Sequence, residues 1–165
     1  MAEFISSDTI NVGKGDVIWF KRFGAPLSWI DPNDYPLVCP EQGAFVGYKV
    51  GLTLNEYLSL IPCIIKLSIP EDAKRSSAYG NKCRCDKAKV LDITTLGGQK
   101  VNIASSYYDN SFIYEVNKEV SVPDFDEDRW HECAPGIHFF MTKEEAINYY
   151  YNCTWYPEAR QYIHC

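Results

Sequence analysis

Two cysteines and a cysteine-histidine cluster carry the residue types that ligate metals or act as nucleophiles. Cys83 and Cys85 lie two apart in "NKCRCD", while His131, Cys133 and His138 crowd into "RWHECAPGIHFF". On a strand, Cys83 and Cys85 would face the same way, and with His131 and Cys133 they make the four nitrogen and sulfur ligands of a tetrahedral zinc site. Cys-x-Cys is a weaker zinc signal than paired Cys-x-x-Cys motifs, so unligated, reduced core thiols are the expected state. No metal and no other cofactor is therefore expected. Cys133 also reads poorly as a nucleophile. A thiolate needs a nearby base or positive charge, whereas Asp124, Asp126, Glu127, Asp128 and Glu132 would raise its pKa. No catalytic residue is assigned.

Anion binding is the second chemistry available. The stretch "KRSSAYGNKCRCDKAK" holds six of the chain's sixteen basic residues against one acid, Asp86. Lys74, Arg75, Lys82 and Arg84, with Ser76, Ser77 and the later His138, supply charged and hydroxyl donors for a phosphate. The order of a P-loop is missing. The competing reading is a solvated basic loop facing the acidic loop at 124–132. His138 lies between apolar neighbours and reads more readily as a hydrogen-bonded core histidine than as a ligand.

Aromatic residues suggest a contact surface. Tyr149, Tyr150 and Tyr151 on one helix span about 200° of its circumference, so they cannot all face one core. With Trp155, Tyr156 and the loop residue Trp130 they form the expected interface with another protein or with a second copy of the chain.

Composition sets the limits on these readings. The 165 residues, 46% hydrophobic and 23% charged, suit one globular domain over 1–165. A net charge of −6 argues against general nucleic-acid binding, which needs many cationic phosphate contacts. The N-terminus has no export signal and no stretch is long and apolar enough for a membrane span, so a protein that is neither secreted nor membrane-bound is expected.

The elements that must position these residues follow from periodicity. "DVIWFKRF" and "FVGYKV" read as strands, and "DPNDYPLVCPEQGAF" as a proline-punctuated loop. "TLNEYLSL" reads as one or two helical turns opened by Thr53. In "CIIKLSI", Ile65, Leu67 and Ile69 alternate with Lys66 and Ser68, the pattern of a half-buried strand. "KAKVLDITTLGGQKVNIASSYY" reads as two strands joined around Gly97-Gly98, and "FIYEV" and "KEVSV" as two more around Asn117. "PDFDEDRW" is a loop and "IHFF" a short strand. Thr142 followed by Glu145 matches a capping box, which opens a helix near 142–152. The expected class is α+β: mainly antiparallel sheet with a few short helices.

Four blocks, "CPEQGAFVGYKV", "IIKLSIPEDAKRSSAYGNKCRCDKAKVLDI", "ASSYYDNSFIYEVNKEVSVPDFDEDRWHECAPGIHFF" and "MTKEEAINYY", follow in order. Together they resemble an uncharacterised domain family of large DNA viruses and some phages, often attached to pentapeptide-repeat arrays. The resemblance covers about residues 39–151, leaving 1–38 as an N-terminal extension and 152–165 as an aromatic tail. It implies a viral protein in the host cytoplasm or virion and transfers no activity. "GIHFFMTKEEAINYY" is also similar to the tyrosine-motif strand and helix of ADP-ribosyltransferases. There His138 would replace the tyrosine, Tyr48 or Lys49 would stand at the first-strand position, and Glu158 would be a poor stand-in for the catalytic glutamate. The block is similar, too, to a Gly-Leu-His segment of rIIB-like phage proteins. The expectation is a non-catalytic viral binding or assembly protein. The alternatives are a pocket protein for a small phosphate-bearing or nucleotide-like ligand, and an ADP-ribosyltransferase-like enzyme.

Overall fold

The computed structural model describes residues 36–78 and 80–155. The strand expected at 16–23, Tyr79, the tail residues Tyr156 and Glu158, and the side chain of Trp155 lie outside the described residues. Val38 opens the compact unit to which all of the described strands and the helix belong.

Nine strands and one helix follow in the order β1 (Phe45–Leu54), β2 (Leu60–Ile69), β3 (Arg75–Ser77), β4 (Lys82–Cys85), β5 (Lys87–Thr95), β6 (Ile103–Ser106), β7 (Ile113–Glu115), β8 (Glu119–Ser121), β9 (Ile137–Phe140) and α1 (Lys143–Trp155). Every strand pairing is antiparallel. The sheet runs β3-β4-β9-β1-β2-β5-β8, and β6 joins β1 as a branch that carries β7. The mainly antiparallel expectation thus holds, with a single helix among the described residues in place of a few.

Alternation along β1 and β2 divides the molecule into two apolar layers. Gly47, Lys49, Gly51 and Thr53 of β1 are buried on one face, opposite Leu67, Ile65, Cys63 and Ile61 of β2. A bulge between Lys66 and Leu67 in the β2–β5 register leaves Leu91 exposed and sets both Val90 and Ile93 against this layer. Ile65, Leu67, Val90, Ile93, Phe139 and Tyr114 are almost wholly buried, each large aliphatic contributing about 1.5–3 kcal/mol relative to exposure. Two glycines let this layer close. A Cβ on Gly47 would sit 2.5 Å from the Phe139 ring, and one on Gly51 would sit 2.6 Å from the backbone oxygen of Ser105 in β6.

The second layer lies between the sheet and α1. Ala146, Tyr149, Tyr150 and Cys153 recur at helical spacing and pack on Val50, Ile64 and Phe140. The helix starts at its expected cap, with a variation: the Thr142 hydroxyl accepts a hydrogen bond from the Glu145 backbone N–H at 3.2 Å and donates to the Glu145 carboxylate at 2.8 Å. Thr142→Ala is expected to lower stability by about 1 kcal/mol in urea unfolding, the usual worth of such a cap.

Three sequence expectations need correction. "TLNEYLSL" is no helix. β1 and β2 are directly joined by a tight turn in which the Asn55 side chain accepts from the backbone N–H groups of Tyr57 and Ser59, at 2.9 Å each, and Leu58 takes a positive φ of 60°. Pairing of β1 along the whole of β2 overrides the local helical pattern. Around Gly98, whose φ is 93°, the chain does turn back on β5, through a bridge at Thr94 and Lys100 and a bond from Val101 N–H to the Ile93 carbonyl. Its second strand then leaves to pair with β1 and β7. The basic stretch 74–89 is the third correction: it is a pair of strands, β3 and β4, continuing into β5, and most of it is buried.

Candidate functional site

One edge of β1 is shared by two partners, and this creates a cavity. β9 pairs with it at Tyr48, opposite Phe140, whereas β6 pairs at Gly51 and Leu52. Continuing the β9 register would set His138 opposite Val50, but the strands part there instead. A cavity of about 640 Å³ opens at the split, within the common range for small-molecule sites. Its inner wall carries Lys49, Lys82, His138 and Tyr149, and its aromatic side includes Tyr107 and Phe112.

The two lysines reach it from different layers. Lys49 lies on the face of Gly47 and Gly51, with Nζ 5.2 Å from the centre of the Tyr114 ring. Lys82 pairs with Phe140 across β4–β9, so it shares the helix-facing side, with Nζ 5.1 Å from the centre of the Tyr149 ring. Each residue is only 8% exposed. Among the described residues no carboxylate or carbonyl bonds to Lys49. Burial, reinforced by the charge of Lys82, lowers the Lys49 pKa to about 8. Burial does the same for Lys82, to about 8, although Glu132 acts in the opposite sense.

His138 stays neutral. Burial and the two lysine charges push its pKa down to about 3. Its Nε2 lies 3.1 Å from the Glu132 carbonyl oxygen, which requires Nε2–H to donate and leaves a lone pair on Nδ1. The Tyr149 hydroxyl is buried in the cavity wall and makes no hydrogen bond of normal geometry. Burial raises its pKa, with Tyr108 and Cys153 beside it acting in the same sense. Two carboxylates, Asp109 and Asp124, belong to exposed loop segments that border the cavity.

Of the seven residues expected to hold an anion, Lys82 and His138 line this cavity. The others do structural work or stay at the surface. Lys74 is exposed and lies 3.5 Å from Glu127. Arg75 donates to the carbonyls of Ala73, Pro40, Gly43, Pro70 and Glu71. Arg84 donates to those of Asp126, Asp128 and Pro135. Ser77 Oγ accepts from Val38 N–H, and buried Ser76 Oγ has no hydrogen-bond partner. The basic stretch does meet the acidic loop, but largely through backbone carbonyls and as buried strand.

The four zinc candidates do not converge. Cys83 and Cys85 are fully buried opposite Phe139 and Ile137, while His131 is exposed with Nδ1 2.9 Å from Asp126, and Cys133, which borders the cavity, is exposed and disulfide-bonded rather than the reduced core thiol expected. Among the described residues no three His, Cys, Asp or Glu are placed to hold a metal ion. The interface candidates separate as their helical spread requires: Tyr149 is buried, Tyr150 packs edge-on against Tyr107 with ring centres 5.8 Å apart, and Tyr151 is exposed. Trp130 is half-buried, with the Arg129 guanidinium 4.8 Å from its ring centre. The buried cation that lines the cavity but was not among the seven expected anion ligands is Lys49. Its signal was a charged residue on the strand face that Gly47 and Gly51 mark as closely packed.

The described residues thus form an open antiparallel sheet with one helix across it and a lysine-lined cavity where β1 changes partners. The chain belongs to the family of unknown function DUF5758, whose family model matches residues 35–146. Neither a curated protein nor a solved structure matches it. No helix among the described residues is long and apolar enough to cross a membrane.

Proposed function

We propose that this domain binds a small phosphate-bearing ligand, nucleotide-like in size, in the cavity between β1, β4, β9 and α1. The observation that carries the reading is the pair of buried lysines, Lys49 and Lys82, facing one cavity. A desolvated ammonium costs several kcal/mol unless an anion compensates it, and Lys49 has no anionic partner among the described residues. A phosphate would supply one. The neutral His138 adds a hydrogen-bond acceptor, and Tyr107 and Phe112 add apolar surface for a ring. Asp109 and Asp124 favour a ligand whose outer end offers hydroxyl or amino donors. The resemblance to viral domains supports a setting in a virion or host cytoplasm, where such a protein would sequester or sense its ligand without turning it over.

Calorimetric titration with a nucleoside monophosphate tests this. Lys49→Met and Lys82→Met are each expected to weaken binding by about tenfold or more, the worth of one buried charge contact. Lys74→Glu, far more exposed and outside the cavity, is expected to leave it unchanged. Equal affinity in all three variants would overturn the proposal.

A second reading, a protein-binding domain, is favoured by a different feature. Leu54, Tyr57, Leu58 and Leu60 around the β1–β2 turn are each more than half exposed, an apolar cluster of the kind that marks contact surfaces. It predicts no response to small anions.

A further inference from the structure

We infer that Lys49 is a covalent anchor, whose amine condenses with an aldehyde or ketone carried by the ligand to form an imine. This rests on the anion-binding reading of the same cavity and goes beyond it by naming the ligand's reactive group.

Geometry separates the roles of the two lysines. Lys49 sits mid-strand in β1, clamped between β2 on one side and the diverging β9 and β6 on the other. Its ammonium group lies over the Tyr114 ring, and the groups that act on its charge are Lys82, Cys85 and Cys63; among these four only a deprotonated thiol or phenol would bring negative charge. Burial pushes the Cys63 and Cys85 thiols up to about 12 and raises Tyr114 as well, so all three stay neutral near pH 7. Lys82, on whose charge Glu132 acts, shares the cavity lining and supplies the second positive charge facing the phosphate. A desolvated lysine beside a second cation is the arrangement that activates an amine as a nucleophile.

The chemistry balances without a redox partner. The neutral Nζ lone pair attacks the carbonyl carbon, a proton passes from nitrogen to the former carbonyl oxygen, and the carbinolamine loses that oxygen as water to leave C=N. Only neutral amine can begin this sequence. With its pKa near 8 against an ordinary 10.5, roughly 300-fold more of Lys49 than of an exposed lysine is neutral at pH 7. His138, uncharged, does not compete with Lys82 for the phosphate.

The test uses the full chain with two probes: pyridoxal 5′-phosphate, which carries an aldehyde, a ring and a phosphate, and pyridoxine 5′-phosphate, the corresponding alcohol. After reduction with cyanoborohydride, peptide mapping is expected to place the adduct on Lys49, with a rate that rises through pH about 8. Lys49→Arg is expected to label at least about tenfold more slowly, while the strand variant Lys66→Met, outside the cavity, labels as wild type does. Should Lys49→Arg fail to fold by circular dichroism, the wild-type peptide map decides. Adducts scattered over surface lysines, with pyridoxine 5′-phosphate still binding, would overturn the imine and leave the anion pocket standing. Failure of both probes to bind would remove the pocket reading and the imine with it.

Discussion

Arg84→Met is expected to lower the stability of the fold by about 3–5 kcal/mol, the loss typical when one partner of a buried charged network is removed. Arg84 is 2% exposed, with its guanidinium 5.0 Å from the centre of the Phe125 ring. Nη1 donates to the carbonyls of Asp126 and Pro135 at 2.9 and 3.0 Å, and Nη2 to that of Asp128 at 3.0 Å. Methionine would fill much of the space but leave three carbonyls without donors, each costing about 1–3 kcal/mol if it stays buried. The measurement is the urea midpoint, with hydrogen exchange over 123–136 to locate the loosening. A loss under about 1 kcal/mol would show that the loop is held by something else. The same change would also weaken the proposed ligand binding, because Gly136 and Pro123 line the cavity. Such a loss would report a displaced wall, since Arg84 itself is not part of the lining.

The second large effect is a dependence of stability on pH that originates in the cavity. Lys49 and Lys82 have pKa values near 8 in the folded chain against 10.5 when unperturbed. Below pH 8 both states hold the proton, and the cost of the buried charges is present in full. Above it the folded protein releases protons that the unfolded chain retains, so stability rises with pH, by up to about 1.4 kcal/mol per pH unit for each lysine. Cys63 and Cys85, raised from 9 to about 12 by burial, act with the opposite sign above pH 9, so the net rise lies between 8 and 9. Lys49→Met removes one lysine from the balance. It is expected to be more stable than wild type at neutral pH by about 1–3 kcal/mol, with the difference shrinking as pH rises. Urea unfolding of both proteins at a series of pH values checks this. Equal stability at neutral pH, with parallel pH profiles, would mean that Lys49 carries no burial cost.

These two residues also show how far the chain could be read in advance. Arg84 was legible as a cation in a basic stretch, yet its role was not, because its partners are carbonyls from a loop more than forty residues onward. A backbone acceptor leaves no trace in residue type. Cys83 and Cys85 were rightly placed on one face, but that face is apolar core, while His131 and Cys133 belong to the loop before β9. In the sequence, Lys49 figures only through the ADP-ribosyltransferase resemblance, as an alternative to Tyr48 at the first-strand position; its burial follows from Gly47 and Gly51, which bring Phe139 and Ser105 against its strand.

What the residues determined by themselves was local. The alternation of Ile65, Leu67 and Ile69, the Thr142–Glu145 cap, the turn at Gly98 and the buried-to-exposed series Tyr149, Tyr150, Tyr151 depend on neighbours a few positions away, and steric and hydrogen-bonding rules act directly at that range. The helix expected at Thr53 failed because long-range pairing with β2 outweighed a weak local preference. The cavity was beyond such reading altogether. It exists because β9 and β6, distant in the chain, take the same edge of β1 at different registers, and only the folded sheet sets the registers that bring Lys49, Lys82 and His138 around one space.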